Sequence, residues 1–264
     1  MPGVDVTADI ETLHLPRILC LHGGGSNARI FYTQCRVMRA HLKSTFRLCF
    51  VDAPFSSPAG PGIESVYEDY APFYCWHNWK PGVTEDFGGQ TLNYVEKILR
   101  EAMAEDDAKG ATGKWVGILG FSQGAKTSAS ILMKQQVQTE LNIRDENSFD
   151  FKFGVIMNGR GPLLELGLDY GSDSSAPGSS ASSATEQSED IKSASGLLHI
   201  PTIHVHGRRD PGLYLHRHLR DSSFVKSTTR LVEWDGDHRL PIKFNDVDAL
   251  VSQIHAVAKE TGAL

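Results

Sequence analysis

An α/β fold, with a mostly parallel sheet covered by helices on both faces, is what this sequence predicts, and three observations predict it. Short apolar runs bounded by turn residues alternate along the chain with segments of helical spacing. The polar residues suited to chemistry all follow the ends of those runs, where open parallel sheets place their sites. Near the middle of the chain, an apolar run from Trp115 to Leu119 stops at Gly120-Phe-Ser-Gln-Gly124, a serine bracketed by glycines at a strand-to-helix turn.

The elements follow in order. Arg17 to Leu21 is a short apolar strand that runs into His22-Gly-Gly-Gly-Ser-Asn27. Phe31, Cys35, Met38 and Leu42 then share one face of a single expected helix. Phe46 to Val51 predicts a second strand ending at Asp52-Ala-Pro54. Residues 55–90 have no clean period and carry Tyr67, Tyr70, Phe73, Tyr74, Trp76, Trp79 and Phe87 among prolines and glycines. So many rings are expected to wall a pocket or form a lid, with packing of the loop onto the sheet as the plainer reading. Leu92, Val95, Leu99 and Met103 mark the next helix, the Trp115 strand follows, and Ala129, Leu132 and Met133 mark the helix after it. Phe153 to Met157, Pro201 to His206 and Arg230 to Trp234 are the remaining strands. A last helix with Val247, Leu250, Val251, Ile254 and Val257 on its apolar face is expected to be capped by Asn245 or Asp246. Between Gly171 and Ser195, Ser, Ala and Gly dominate, a composition that cannot bury enough apolar area to offset its ordering entropy; a disordered surface insertion is expected there.

With 264 residues the chain suits one large domain, residues 1–264, rather than two small ones. Its 26 Lys and Arg against 32 Asp and Glu give a formal charge of -6, and neither Lys nor Arg forms a run. That balance argues against nucleic acid or an anionic membrane as partner. The first residues hold Asp5, Asp9 and Glu11 without an apolar leader, and no stretch approaches a membrane span, so a cytoplasmic protein is expected. The four cysteines have no CxxC spacing, and Cys20 and Cys49 fall inside strands; buried thiols are expected rather than disulfides or a metal site.

Ser122, Asp210 and His238 each follow a strand end, so a parallel sheet brings them to one edge. A serine hydroxyl is a weak nucleophile until a neighbouring base takes its proton. His238 suits that role, and Asp210 would hold the imidazole tautomer and stabilise the imidazolium. Asp235 and Asp237 are alternative acids, and a turn-forming role before Pro211 is the plainer reading of Asp210. The backbone amides of Gly24 and Gln123 are expected to face the oxyanion formed during attack. Tyr70, Phe73, Tyr74, Trp76 and Trp79 are the candidate walls of an acyl pocket.

Other readings compete with this one. Gly23, Gly25 and Ala28 also fit G-x-G-x-x-A with Asp52 ending the next strand, a dinucleotide fingerprint that would make the chain an oxidoreductase. It leaves Ser122, Asp210 and His238 without a purpose, so no cofactor is expected. His204 and His206 face one side of a strand and could hold a metal, but no third ligand is spaced near them, which favours packed histidines. Cys75 lacks an elbow or an assigned base. A module that binds acyl ligands without turning them over is a further alternative.

Taken together, Arg17 to Asn27, Phe50-Val-Asp-Ala-Pro54, Gly120-Phe-Ser-Gln-Gly124, Val205-His-Gly-Arg-Arg-Asp210 and Gly236-Asp-His238 resemble the fungal family of serine hydrolases, over most of the chain. The resemblance implies the α/β-hydrolase fold and a triad of Ser122, Asp210 and His238, with no cofactor. The segment Tyr70-Ala-Pro-Phe-Tyr-Cys-Trp76 is similar to members found beside polyketide synthases, which implies a small ester or acyl thioester as substrate and an acyl carrier domain as a partner. The same family includes general carboxylesterases. The Ser-rich stretch departs from its more compact members.

Overall fold

The computed structural model describes residues 10–78, 90–168 and 196–264. Six parallel strands form the central sheet: β1 (Arg17–Leu21), β2 (Arg47–Val51), β5 (Trp115–Phe121), β6 (Phe153–Met157), β7 (Thr202–Gly207) and β8 (Thr229–Trp234), in the order β2-β1-β5-β6-β7-β8. The short strands β3 (Phe55–Ser57) and β4 (Phe73–Cys75) pair antiparallel as a separate ribbon. Every residue of β1, β6 and β7 is buried, which is why these strands read as unbroken apolar runs instead of alternating ones.

The helices α1 (Ala28–Gln34), α2 (Arg36–Leu42) and α7 (Phe244–Glu260) cover one face of the sheet, where Phe31, Met38, Leu42, Val247 and Ile254 share a core with Phe153 and Val205. The helices α4 (Thr91–Ala108), α5 (Gln123–Glu140) and α6 (Leu213–Ser223) cover the other, through Leu92, Leu99, Leu132 and Leu219. A short helix α3 (Glu64–Tyr67) lies in the stretch between the ribbon strands. Lys134 of α5 is buried and offset by Glu96 of α4 at 2.8 Å. Where β1 and β2 begin, the arginines Arg17 and Arg47 close on the buried Asp106 carboxylate at 3.2 and 2.7 Å.

Two local expectations are corrected. The helix expected through Phe31 and Leu42 is interrupted at Cys35, whose ψ of 6° ends α1 and starts α2; the apolar face survives because Cys35 still donates to the Phe31 carbonyl. The last helix starts one residue before its expected cap, with Lys243 at the N-cap position and no side-chain cap. All four cysteines are free and buried. The Ser-rich stretch 171–195 lies outside the described residues. Among the described residues, no helix is long and apolar enough to cross a membrane.

Candidate active site

The sheet order places β1 between β2 and β5, so the chain leaves β1 toward one side and returns on the other. The loops after β1 and β5 therefore diverge from adjacent strand ends, at a topological switch point. Ser122 sits there with φ 54° and ψ -110°, a left-handed conformation costly for a residue with a side chain. The surroundings enforce it: its N–H donates to the Met157 carbonyl at 2.8 Å, and its carbonyl accepts from Ala125 at 3.1 Å as α5 begins. A β-carbon at Gly120 would fall on the Gly124 carbonyl, and one at Gly124 on the Leu21 carbonyl. Only glycine on both sides lets the turn pack this tightly.

His238 reaches Ser122 from the loop after β8. The Ser122 hydroxyl donates to His238 Nε2 at 2.9 Å, and His238 Nδ1 donates to Asp210 Oδ2 at 2.6 Å. Burial lowers the His238 pKa, reinforced by Arg160 and His216 and opposed by its bond to Asp210, and the net shift is downward. Burial alone would raise the Asp210 carboxyl, but the Gly212 amide and the two histidines outweigh it and hold the pKa below the usual carboxylate range. The alternative acids are occupied at the surface, Asp235 facing Arg209 and Asp237 facing Arg239.

A residue for which the sequence raised no expectation completes this cluster. His216, fully buried on α6, donates from Nε2 to the same Asp210 Oδ2 at 2.8 Å and from Nδ1 to the Gly159 carbonyl at 2.8 Å. Both partners are acceptors, so the pattern is complete only with a proton on each ring nitrogen, a charge that Asp210 neutralises. Donor atoms of Asp210, His216 and His238 lie within 4.8 Å of one another, spacing that suits a metal. The two imidazoles instead spend their nitrogens on one carboxylate oxygen, which places hydrogen bonds where a cation would sit. The available signal was a histidine three residues before the buried Leu219 on one face of α6, just past a strand-end Asp-Pro.

The glycine loop lies over Ser122: a β-carbon on Gly23 would sit 3.7 Å from Ser122 Cβ, and one on Gly24 3.1 Å from the Gln123 side chain. The amides of Gly24 and Gln123 donate to no acceptor among the described residues. His22 is buried and its pKa is pushed down to about 4, so a neutral ring donates from Nδ1 to the Gly23 carbonyl and accepts at Nε2 from Ala53 N–H. Asp52, the acid a dinucleotide site would need for its ribose, accepts from the Ala28 amide at 2.6 Å at the start of α1.

Ser122 opens into a cavity of about 480 Å³ whose lining includes Gly24, His77, Lys126, Arg160, Pro211 and His238. Tyr70, Phe73, Tyr74 and Trp76 are not in that lining, which corrects the expectation that they wall it. The reason is the ribbon. Pairing of β3 with β4 turns Trp76 into the core, where its indole N–H donates to the His22 carbonyl at 2.8 Å and its backbone N–H to Gln123 Oε1 at 2.7 Å. Tyr70 instead carries the Arg29 guanidinium on its ring face, and the Tyr74 backbone pairs with the Ser26 and Gly25 backbones. Trp79 lies outside the described residues. Cys75 is fully buried and its thiol pKa is raised by that burial, the opposite of an activated nucleophile. His204 and His206 are buried on β7, His204 edge-on to Phe224 at 4.4 Å.

This arrangement, a serine bonded to a histidine that is bonded to an acid, beside two unspent amides, suits acyl transfer. The comparisons with known proteins agree with that chemistry. A family model described as "Serine hydrolase (FSH1)" matches residues 12–250. A protein named Esterase citA, from Monascus ruber, is 48% identical over 256 residues, covering 96% of this chain and 96% of that one. Esterase dbaE, from Emericella nidulans, is 46% identical over 264 residues, covering 96% and 94%. Among solved structures, Arabidopsis thaliana SOBER1 aligns over 92% of this chain and 98% of its own with a TM-score of 0.51 at 17% identity, a likeness of fold. With a family model spanning most of the chain and curated esterases near half identity over nearly all of it, the chain belongs to the FSH1 family of serine hydrolases.

Proposed function

We propose that the chain cleaves an ester or thioester through an acyl-Ser122 intermediate and thereby releases or trims a polyketide-type acyl chain. The observation that carries this reading is the continuous set of bonds from Ser122 Oγ through His238 to Asp210, at 2.9 and 2.6 Å. His238 Nε2 takes the hydroxyl proton as Oγ attacks the carbonyl carbon, and the carbonyl electrons move to oxygen, facing the Gly24 and Gln123 amides. Collapse of this intermediate breaks the bond to the leaving alcohol or thiol, which receives the proton from His238; water then repeats the cycle on the acyl-serine. Asp210 holds the tautomer with the proton on Nδ1 and stabilises the imidazolium. The polyketide setting rests on the similarity of residues 70–76 to members that accompany polyketide synthases, and an acyl carrier domain is the macromolecular partner it suggests.

A fluorophosphonate probe with peptide mapping tests the nucleophile. Stoichiometric modification of Ser122, absent in Ser122→Ala, is the expected outcome; equal labelling of the variant would overturn the assignment. Comparing one acyl group presented on a carrier domain and as a simple alcohol ester tests the setting, with the higher kcat/KM expected on the carrier.

A further inference from the structure

Among the described residues, the lining of the cavity over Ser122 includes two cationic side chains and one carboxylate. Lys126 and Arg160 both line it, and neither side chain has a hydrogen-bond or ion-pair partner among the described residues. The lining carboxylate, Asp210, is committed to the Gly212 amide, His216 and His238. Elsewhere the buried cations are closed by acids: Lys134, two turns further along α5, by Glu96, and Arg17 and Arg47 by Asp106.

Lys126 is half-buried and Arg160 is exposed, yet both side chains are held at the cavity. Lys126 follows Ser122 by four residues, so it leaves α5 one turn below the nucleophile, half-buried, and its pKa is lowered by that burial. The Arg160 guanidinium lies along Gly212, where a β-carbon would come within 2.6 Å of Nη2, and it is near enough to His238 to oppose protonation of that ring. A neutral substrate filling this cavity would displace water from the half-buried Lys126 without supplying a counter-charge.

We propose that the substrate carries an anionic group, a carboxylate or a phosphate, which Lys126 and Arg160 hold while Ser122 attacks the ester or thioester carbonyl. The inference rests on the hydrolase reading given above. Lys126 supplies a compact charge and Arg160 a planar fork that fits two oxygens of either group. The anion has two possible sources, an acyl chain ending in a carboxylate or a leaving thiol bearing phosphate.

Two substrate pairs separate them: p-nitrophenyl butyrate against p-nitrophenyl hemiglutarate for the acyl side, and butyryl-N-acetylcysteamine against butyryl-coenzyme A for the thiol side. The readout is the anionic-to-neutral ratio of kcat/KM in the native chain and in Lys126→Met and Arg160→Gln. A native ratio well above one in either pair is expected, falling about tenfold in each variant and also as salt is raised. Lys126→Arg, which keeps the charge, should retain more of the ratio than Lys126→Met. The pair in which the effect appears identifies the source. Ratios near one in both pairs, or ratios that the variants leave in place, would overturn the proposal even with brisk turnover. Failure of the hydrolase reading looks different, with no ester turned over and no labelling of Ser122, and it would remove this inference as well.

Discussion

Asp106 and Asp210 are both buried carboxylates held below the usual carboxylate range, yet they do opposite things because their partners differ. Asp106, on α4, lies where β1 and β2 begin and accepts from the guanidinium groups of Arg17 and Arg47. Arginine stays protonated at any pH the protein meets, so that cluster is permanently neutralised and can only tie elements together. Asp210 lies past the end of β7 and accepts from the imidazoles of His216 and His238. Fixed-charge partners make Asp106 a fastener, whereas in the proposed mechanism Asp210 supports the histidine that takes the serine proton. Lys134 and Lys126 repeat the contrast on one helix, the first closed by Glu96 and the second open to the cavity.

Substitution of the two acids should separate these roles most sharply. Asp210→Asn is expected to lower kcat by about 10⁴-fold, because an amide cannot hold His238 in the tautomer that accepts the serine proton. Asp106→Asn is expected to leave kcat/KM of the folded fraction within about twofold while lowering unfolding free energy in urea by about 3–5 kcal/mol, since the buried Arg47 loses the Asp106 carboxylate and Arg17 keeps only the exposed Asp107 as counter-ion. A large loss of kcat in folded Asp106→Asn would break the comparison. The pH dependence of stability checks it again. With its pKa lowered in the fold, Asp106 contributes in full above the unfolded-chain value of about 3.9, and that contribution is lost as pH falls through the folded value.

His216→Gln sharpens the contrast from the other side, because glutamine can still donate to Asp210 but carries no charge. We expect a loss of about ten- to a hundredfold in kcat from poorer positioning of Asp210. The pH profile distinguishes this from simple structural damage. The proposed mechanism uses neutral His238 as base, and its pKa is lowered by burial, with Arg160 and His216 adding to the effect, so the acid limb of kcat/KM should lie below the ordinary imidazole value of about 6.5. Removing the His216 charge favours the imidazolium of His238 and should move that limb to higher pH. His206, 5.8 Å from His216, faces Arg220, Arg217 and Glu233, none of which this variant alters. An acid limb that stays in place would argue that His216 is uncharged in the native site.

The smallest expected effect belongs to Trp76→Phe. It removes the indole donor to the His22 carbonyl and should cost about 1–3 kcal/mol of stability by urea titration. Because the ring braces the glycine loop from the core, any loss of kcat/KM should be the same for acetyl and long-chain esters. A loss confined to long acyl groups would restore the pocket role that residues 55–90 first suggested.

What the sequence by itself determined was whatever depends on near neighbours in the chain. Apolar runs of four to six residues marked the strands, with Arg17–Leu21 and Phe153–Met157 placed to the residue. The glycines around Ser122 announced the turn because the packing they relieve is local, and the order of Ser122, Asp210 and His238 pointed to one sheet edge because parallel strands all end on the same side. The tertiary structure alone decided which side chains meet across that edge. His216 follows Asp210 by only six residues, yet its ring reaches that carboxylate only once α6 is seated, and nothing local says that Lys126 and Arg160 line one cavity. Trp76 could equally have faced that cavity until the ribbon formed by β3 and β4 turned it inward. Such choices depend on the strand order and on how helices seat against the sheet, contacts between residues tens of positions apart that no local pattern encodes.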